Sequence, residues 1–402
     1  MIKKRLGRVK RRFILNFLEK SDPDKIARIG EDKVVPAFLR AAEGVPAYQK
    51  ILAEKKVDIS KIRDLDDFKE KVPVVVKGDV FGRFDAAELC VGGEFPEDAV
   101  SVFTSSGFSK KFSYGIVTER DGKKVREMLA FILGYEFDAN NKKTLLINSE
   151  AMGVTFSSPY PMVNTSVRSD MVLTLLKVLK KEFEQFIILA DPHFAKKIVE
   201  DGIDSGFDWK AAKVSFVLGG DWISNSLVKY LMEKTEMSFE NPEKKIRLTM
   251  GLSELGLNLF HDGVNLARVR DAAQGDEKLK KALFGDLGAC SELMYYYPQR
   301  TFMEVINRDK NGFGELVFSM LDKDLKMPLT RYNSKDAGKL FGFNEFSEIL
   351  KKHGYGNLIP EFHLPIVAVS GRGGDDVVVG GAVVGVDDLK EVFYRDFSVA
   401  NS

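Results

Sequence analysis

The sequence predicts an α/β protein: a large layered domain preceded by a helical N-terminal segment. Three observations carry this. From about residue 95, short apolar runs alternate with amphipathic stretches of helical period, the pattern of a largely buried sheet covered by helices. Residues 1–72 carry Lys/Glu-rich faces and few glycines, which reads as helix. The chain has 402 residues, 44% of them hydrophobic and 30% charged, enough for two or three packed units with a sizeable core.

The elements follow in order. Residues 1–20, MIKKRLGRVKRRFILNFLEK, form a basic amphipathic helix whose apolar run Phe13–Leu18 is broken by Asn16. That run is too short for a signal sequence or a membrane span. The helix reads either as a contact for anionic lipid or a partner, or as a solvated terminal helix. Ser60 and Asp66-Asp67 mark short helix starts, and Val72-Pro73 ends the helical region because proline disfavours helix at the residue before it. Strands are expected at Phe112–Val117, Thr144–Asn148, Phe186–Leu189, Val214–Leu218, Ile246–Met250, Phe302–Ile306, Leu316–Leu321 and Ile366–Val369. Helical periods fill Thr118–Phe137, Ser169–Phe183 and Ser224–Lys234, the first capped near Thr118. Gly263–Ala289 is charged and lacks long apolar runs, so surface helices or loops are expected. Gly371–Gly374 holds three glycines and suits a hinge. The expected organisation is 1–95 helical segment, 96–370 core, and 371–402 hinge with the start of a further domain.

Composition excludes several classes. A net charge of +1 gives no global steering toward nucleic acid. Two cysteines, Cys90 and Cys290, offer no disulfide framework and no CxxC pair, which fits a reducing cytoplasm. Cys290 with His261 supplies too few ligands for structural zinc, so a packed thiol and an exposed histidine are expected.

The chemistry begins at Phe103–Gly115, FTSSGFSKKFSYG. Hydroxyls on Thr104, Ser105 and Ser106, then Gly107 and the lysines 110 and 111, suit a polyphosphate: N–H and O–H groups donate to its oxygens and an ammonium offsets their charge. The spacing is not that of G-x-x-x-x-G-K-[ST], and the same stretch also reads as a solvated Ser/Lys loop. Further motifs follow in order: Gly219-Gly220-Asp221, Gly251-Leu252-Ser253-Glu254, Gly314-Glu315-Leu316, Arg331-Tyr332-Asn333-Ser334-Lys335-Asp336, and Gly371-Arg372 ahead of Asp375 with Gly380-Gly381 beyond. Each alone has a structural alternative. Glu254 reads equally as a helix-start acid, Asp336 as a turn-former and Arg372 as a surface ion-pair partner.

As an ordered set these motifs resemble the adenylate-forming (AMP-binding) superfamily of acyl-activating enzymes, and within it the phenylacetate–coenzyme A ligase branch. The family motifs run close to TSSGTTGKP, GGE, YGxSE, GEL, YRTGD and GRxxDxIxxGG. Val45-Pro46-Ala47-Tyr48 through Lys77 is similar to that branch's opening, and the resemblance spans about residues 35–390. It implies a large N-terminal domain of the acyl-activating type that joins a carboxylate to ATP with Mg²⁺ and passes the acyl group to coenzyme A. Carried over, Thr104, Ser105, Ser106, Gly107 and Lys111 form the phosphate loop. Gly219 and Gly220 let backbone approach adenine, Ser253 sits by the α-phosphate, and Glu254 lies on the Mg²⁺ side. Asp336 accepts from the ribose hydroxyls, Arg372 reaches ribose or phosphates, and Asp375 is the pivot of the hinge. Lys111, Glu254 and Arg372 are the expected catalytic set. The expected partners are a small-molecule carboxylic acid and, as one option, a second copy of the chain, with no nucleic acid and no integral membrane association. The stretch Asn148–Asp170 reads as a wall of the acid cleft or as a structured loop.

The chain departs from the pattern at several places. Phe108, Lys110 and Phe112 stand where the family has Thr or Ser, Gly and Pro. Met250 replaces the adenine-stacking Tyr, and Lys335 replaces the Gly before the ribose aspartate. No counterpart of the family's C-terminal lid lysine is found before Ser402, so the lid domain is expected to be missing or truncated. Three readings follow: an acid–thiol ligase, a nucleotide-binding or scaffold homologue without activity, and an adenylating enzyme that serves a protein or amine acceptor.

Overall fold

Helices fill the first 72 residues: α1 (Ile2–Lys20), α2 (Pro23–Gly44), α3 (Pro46–Glu54) and α4 (Leu65–Lys71). Their starts follow local chemistry. Asp22 accepts from the Asp24 amide at 2.9 Å ahead of α2, and Asp64 from the Asp67 amide at 2.9 Å ahead of α4. α3 opens on Pro46, where a missing N–H leaves nothing unpaired. The computed structural model describes residues 2–105, 112–151, 154–286, 289–372, 377–379, 382–384 and 386–395. The chain divides into two units: unit 1 is Met1–Asp121, Leu252–Phe260 and Tyr295–Gly373, and unit 2 is Gly122–Gly251, His261–Met294 and Gly374–Ser402.

Along the chain there follow β1 (Val75–Val76), α5 (Lys77–Val80), β2 (Ala99–Thr104), β3 (Tyr114–Thr118), α6 (Glu119–Glu136), β4 (Thr144–Asn148), β5 (Met162–Asn164), α7 (Ser169–Leu179), β6 (Gln185–Ala190), α8 (Pro192–Asp204), β7 (Val214–Leu218), α9 (Asn225–Thr235) and β8 (Ile246–Leu252). The rest are β9 (Gly256–His261), α10 (Val264–Gly275), α11 (Glu277–Phe284), β10 (Glu292–Tyr296), β11 (Thr301–Ile306), β12 (Gly314–Met320), β13 (Tyr332–Phe341), α12 (Phe343–Lys352), β14 (Ile366–Arg372), β15 (Val377–Val379), β16 (Ala382–Val384) and α13 (Val386–Arg395). The α/β class read from the sequence is the class observed. Thr118 caps α6: its Oγ1 accepts from the Asp121 amide at 3.2 Å while Asp121 accepts from the Thr118 amide at 3.1 Å.

In unit 1, β11, β12, β13 and β14 form an antiparallel ladder, with β1 parallel to β13 through Val75–Tyr332 and Val76–Asn333. Its core packs Val34, Phe38, Leu52, Phe68, Phe302 and Leu321 together. Phe68 meets Phe38 and Phe302 edge to face, at 5.8 and 6.1 Å between ring centres.

In unit 2, β8, β7, β6, β4 and β5 lie side by side, all parallel. β4, β6 and β7 are buried along their whole length, which is why their sequences are apolar without alternation. One expectation is refined here and one is corrected. The charged region 263–289 forms helices, one of the two forms expected, and they pack more deeply than its charge suggests: α10 buries Leu266, Val269 and Ala273, and α11 buries Leu279, Leu283 and Phe284 while Glu277, Lys278 and Lys281 stay exposed. Apolar residues at helical spacing did this without forming a run. His261 is buried, not exposed; its Nδ1 donates to the Asp262 carbonyl at 2.7 Å, and burial lowers its pKa. Cys90 and Cys290 are both buried, which pushes each thiol up to about 11.

Candidate active site

β13 begins with the residues that the sequence marked, and unit 1 holds that strand from several directions. The Tyr48 hydroxyl donates to the Thr330 carbonyl at 3.0 Å and accepts from the Thr330 amide at 2.6 Å. The Val-Pro-Ala-Tyr stretch thus pins α3 to the start of β13. β1 pairs with Tyr332 and Asn333 on the other side. Arg331 is buried and grips Glu304 with two hydrogen bonds, at 3.0 and 2.9 Å. Its remaining nitrogen donates to the carbonyls of Lys69, at 2.7 Å, and Val72. Its guanidinium lies over the Phe68 ring, 5.6 Å from the centre.

Tyr332, so fixed, donates its hydroxyl to Glu254 Oε1 at 2.7 Å. The other oxygen, Oε2, accepts from Ser253 Oγ at 2.7 Å and Ser113 Oγ at 3.1 Å. Burial and the facing Glu254 carboxylate push the Tyr332 phenol far above its ordinary pKa, so it remains a donor. Ser113 also ties this carboxylate to the phosphate-loop candidate: its amide donates to Ser105 Oγ at 3.1 Å, and the Ser105 amide donates to its carbonyl at 2.9 Å. Lys77 Nζ donates to the same Ser105 Oγ at 3.0 Å. β3 approaches so closely here that a Cβ on Gly115 would lie 2.0 Å from the Ser253 carbonyl oxygen.

Asp336 is buried four residues along β13 from Tyr332, opposite Arg372 of β14. Lys335 takes φ +69°, in the left-handed region where glycine is at ease. Its amide donates to Asn333 Oδ1 at 2.8 Å and its ammonium meets Glu315 at 3.1 Å. The glycine-type backbone before the aspartate is therefore present without glycine. Gly371, beside Arg372, has φ +81°.

Unit 2 carries the other candidates at the C-terminal edge of its parallel sheet, the end where open α/β sheets bind ligands. Gly219 follows β7, and a Cβ there would come within 2.7 Å of the Thr249 carbonyl oxygen. Gly220 has φ +90°. Glu150 follows β4 and Asp191 follows β6. Burial first, and then the Asp191 carboxylate, push the Glu150 carboxyl up to about 7. Asp191 caps α8, accepting from the Phe194 amide at 2.9 Å.

Within unit 1 hydrogen bonds therefore join Ser105, through Ser113, to Ser253 and Glu254, with Thr104 next to Ser105; Asp336 and the backbone of Arg372 stand opposite each other further along β13 and β14, and Gly219 and Gly220 stand in unit 2. Ser106, Gly107, Lys111 and Asp375, and the side chain of Arg372, lie outside the described residues. Sequence reasoning passed over Tyr332, Ser113 and Lys77 as partners of the site. Tyr332 and Ser113 stood inside quoted stretches, and Lys77 closes the Val-Pro-Val-Val-Val-Lys run, but contacts between residues so far apart in the chain have no signal in a single sequence.

No protein-family model matches the chain, and no curated protein matches it in sequence. Solved structures do. The chain is similar to the open conformation of 2-hydroxyisobutyryl-CoA ligase in complex with 2-HIB-AMP and CoA, with a TM-score of 0.65 and 13% identity over 95% of this chain and 82% of that one. It is also similar to that ligase with the same two ligands in the thioesterification state, with a TM-score of 0.63 and 13% identity over 95% of this chain and 75% of that one. At these identities the likeness establishes one thing: over nearly its whole length the chain has the fold of an acyl-CoA ligase.

Proposed function

We propose that this protein activates a carboxylic acid with ATP and transfers the acyl group to coenzyme A. In the first step a carboxylate oxygen bonds to the α-phosphorus, the bond from that phosphorus to the bridging oxygen breaks, and pyrophosphate leaves. In the second the thiol of coenzyme A loses its proton and attacks the acyl carbonyl, and AMP leaves. The nucleophile of the first step needs no general base, since a carboxylic acid is ionised at pH 7. The work is charge neutralisation and alignment.

The observation that carries the reading is the Glu254 carboxylate, held by three hydroxyls beside Ser105 of the phosphate-loop candidate. A carboxylate has about four acceptor positions. Three are taken, which leaves one for a hard cation and fits Mg²⁺, an ion that binds through one or two carboxylates plus substrate phosphates. Glu254 would hold Mg²⁺, whose positive charge offsets that of the triphosphate. The remaining roles rest on the resemblance. Thr104, Ser105, Ser106, Gly107 and Lys111 take the phosphates in unit 1, where Lys77 adds a second ammonium at Ser105. Asp336 accepts from the ribose hydroxyls. Gly219 and Gly220 of unit 2 serve the adenine. Arg372 neutralises phosphate charge, and the hinge pivots at Asp375. The acid is assigned to the aromatic class on the likeness to the phenylacetate branch.

The test is exchange of labelled pyrophosphate into ATP across a panel of carboxylic acids, followed by addition of coenzyme A. Acid-dependent exchange and a thioester product are expected. Exchange without a thioester would move the acceptor to an amine or protein. Absence of exchange with every acid, together with no stabilisation by Mg²⁺-ATP, would overturn the reading. Glu254→Gln and Asp336→Ala are each expected to weaken Mg²⁺-ATP binding by about tenfold or more, read by thermal shift or calorimetry.

A further inference from the structure

α1 is anchored by one face and bare on the other. Leu18 is buried, and the carbonyl of the same residue accepts from the His363 amide at 2.7 Å. His363 Nδ1 donates to the Ser21 carbonyl at 2.7 Å. Between about a quarter and half a turn around the axis from Leu18 lies a stripe of apolar side chains on the outer side of the helix. Val9 is 65% exposed, Phe13 73% and Phe17 36%. Their spacing, four residues apart, puts them in one row. Seven lysines and arginines fall between residues 3 and 12, and no acidic residue occurs before Glu19.

We propose that α1 is an interfacial helix that seats this protein on an anionic lipid surface. A row of large apolar side chains flanked by cations is the geometry that lies in the headgroup plane: the rings enter the acyl boundary while long basic side chains reach the phosphates. The helix lies on the bilayer and does not cross it, since among the described residues no helix is long and apolar enough to span a membrane. Charge selects the occupant. A second copy of this chain would bring its own seven cations against these, whereas an anionic surface gains from each of them. The rest of unit 1 presents no comparable demand on α1, because Phe13 touches solvent over most of its area. The inference is independent of the proposed enzymatic reading.

The experiment is co-sedimentation of the full chain with vesicles of phosphatidylcholine alone or mixed with phosphatidylserine. Binding to the mixed vesicles, weakening as salt is raised, with little binding to the neutral ones, is expected. The double variant Arg11→Ala/Arg12→Ala should lose roughly 25-fold in vesicle affinity, about fivefold per charge. Phe13→Ser, and separately Val9→Ser, should each weaken binding by about tenfold or more with the thermal midpoint unchanged. Three outcomes would overturn the proposal. These are no binding to phosphatidylserine vesicles, binding indifferent to Phe13→Ser, or a concentration-dependent dimer in sedimentation velocity that Phe13→Ser abolishes. A duplex RNA that binds the chain and is insensitive to Phe13→Ser, while vesicles are not bound, would assign the cations to nucleic acid instead.

Discussion

Three hydroxyls on one carboxylate make Glu254 sensitive to changes in its neighbours. Tyr332→Phe removes a buried donor to a charged acceptor, a loss of about 1.5–3 kcal/mol. Pyrophosphate exchange should fall by about tenfold or more, with the chain still folded by circular dichroism. A second residue-scale prediction concerns Asp262. It is fully buried, and burial pushes its carboxyl up to about 7, with Arg247 opposing. A raised folded-state value means the folded protein holds the proton more tightly than the unfolded chain. The stability that this provides is complete below pH 4 and is lost as pH rises through about 7. Asp262→Asn keeps an acceptor for the Leu248 amide, now bonded at 2.9 Å, and removes the charge. It should stabilise the protein at pH 8 by about 2 kcal/mol and have little effect at pH 4, measured by denaturant unfolding at the two pH values.

At the scale of elements, β3 is set against the Ser253–Glu254 segment by the absence of one side chain. Gly115→Ala forces a methyl into a 2.0 Å gap against backbone. It should cost about 2–3 kcal/mol and reduce Mg²⁺-ATP binding along with stability. Gly275→Ala is the control: nothing lies within 4 Å of a Cβ there, near the end of α10, so stability should stay within about 1 kcal/mol of the parent. The elements also show what the sequence could and could not disclose. Buried parallel strands such as Thr144–Asn148 and Val214–Leu218 are continuous apolar runs, and their bounds were readable to the residue. β13, YNSKDAGKLF, was not. It has polar residues along most of its length and becomes a strand because β1, β12 and β14 pair with it and Tyr48 fixes its start. The acids at 254 and 336 stood out through the resemblance. Ser253 stood out with them, but the hydroxyls of Tyr332 and Ser113 did not, because partners 78 and 141 residues away are assigned only by the fold.

Across the whole molecule, the α/β layering followed from alternation of buried runs and amphipathic helices, and the fold it implied is one that solved ligases share over 95% of this chain. Within unit 2, α13 is held by a buried acid: Glu391 accepts from the Asn225 amide at 3.0 Å, Ser226 Oγ at 2.5 Å and Gln274 Nε2 at 2.8 Å. Glu391→Ala should release this helix. Limited trypsin digestion is expected to cut within residues 386–395 several-fold faster while the rest of unit 2 survives; unchanged cleavage would mean that the helix is held by other contacts. Arg331 has the opposite consequence. One guanidinium joins the end of α4, β11 and the start of β13, so none of the three can leave without stranding a charge in the interior. Amides of residues 65–72 should therefore exchange with solvent only in the same opening event as those of β13, making a seven-residue surface helix as slow to exchange as a central strand.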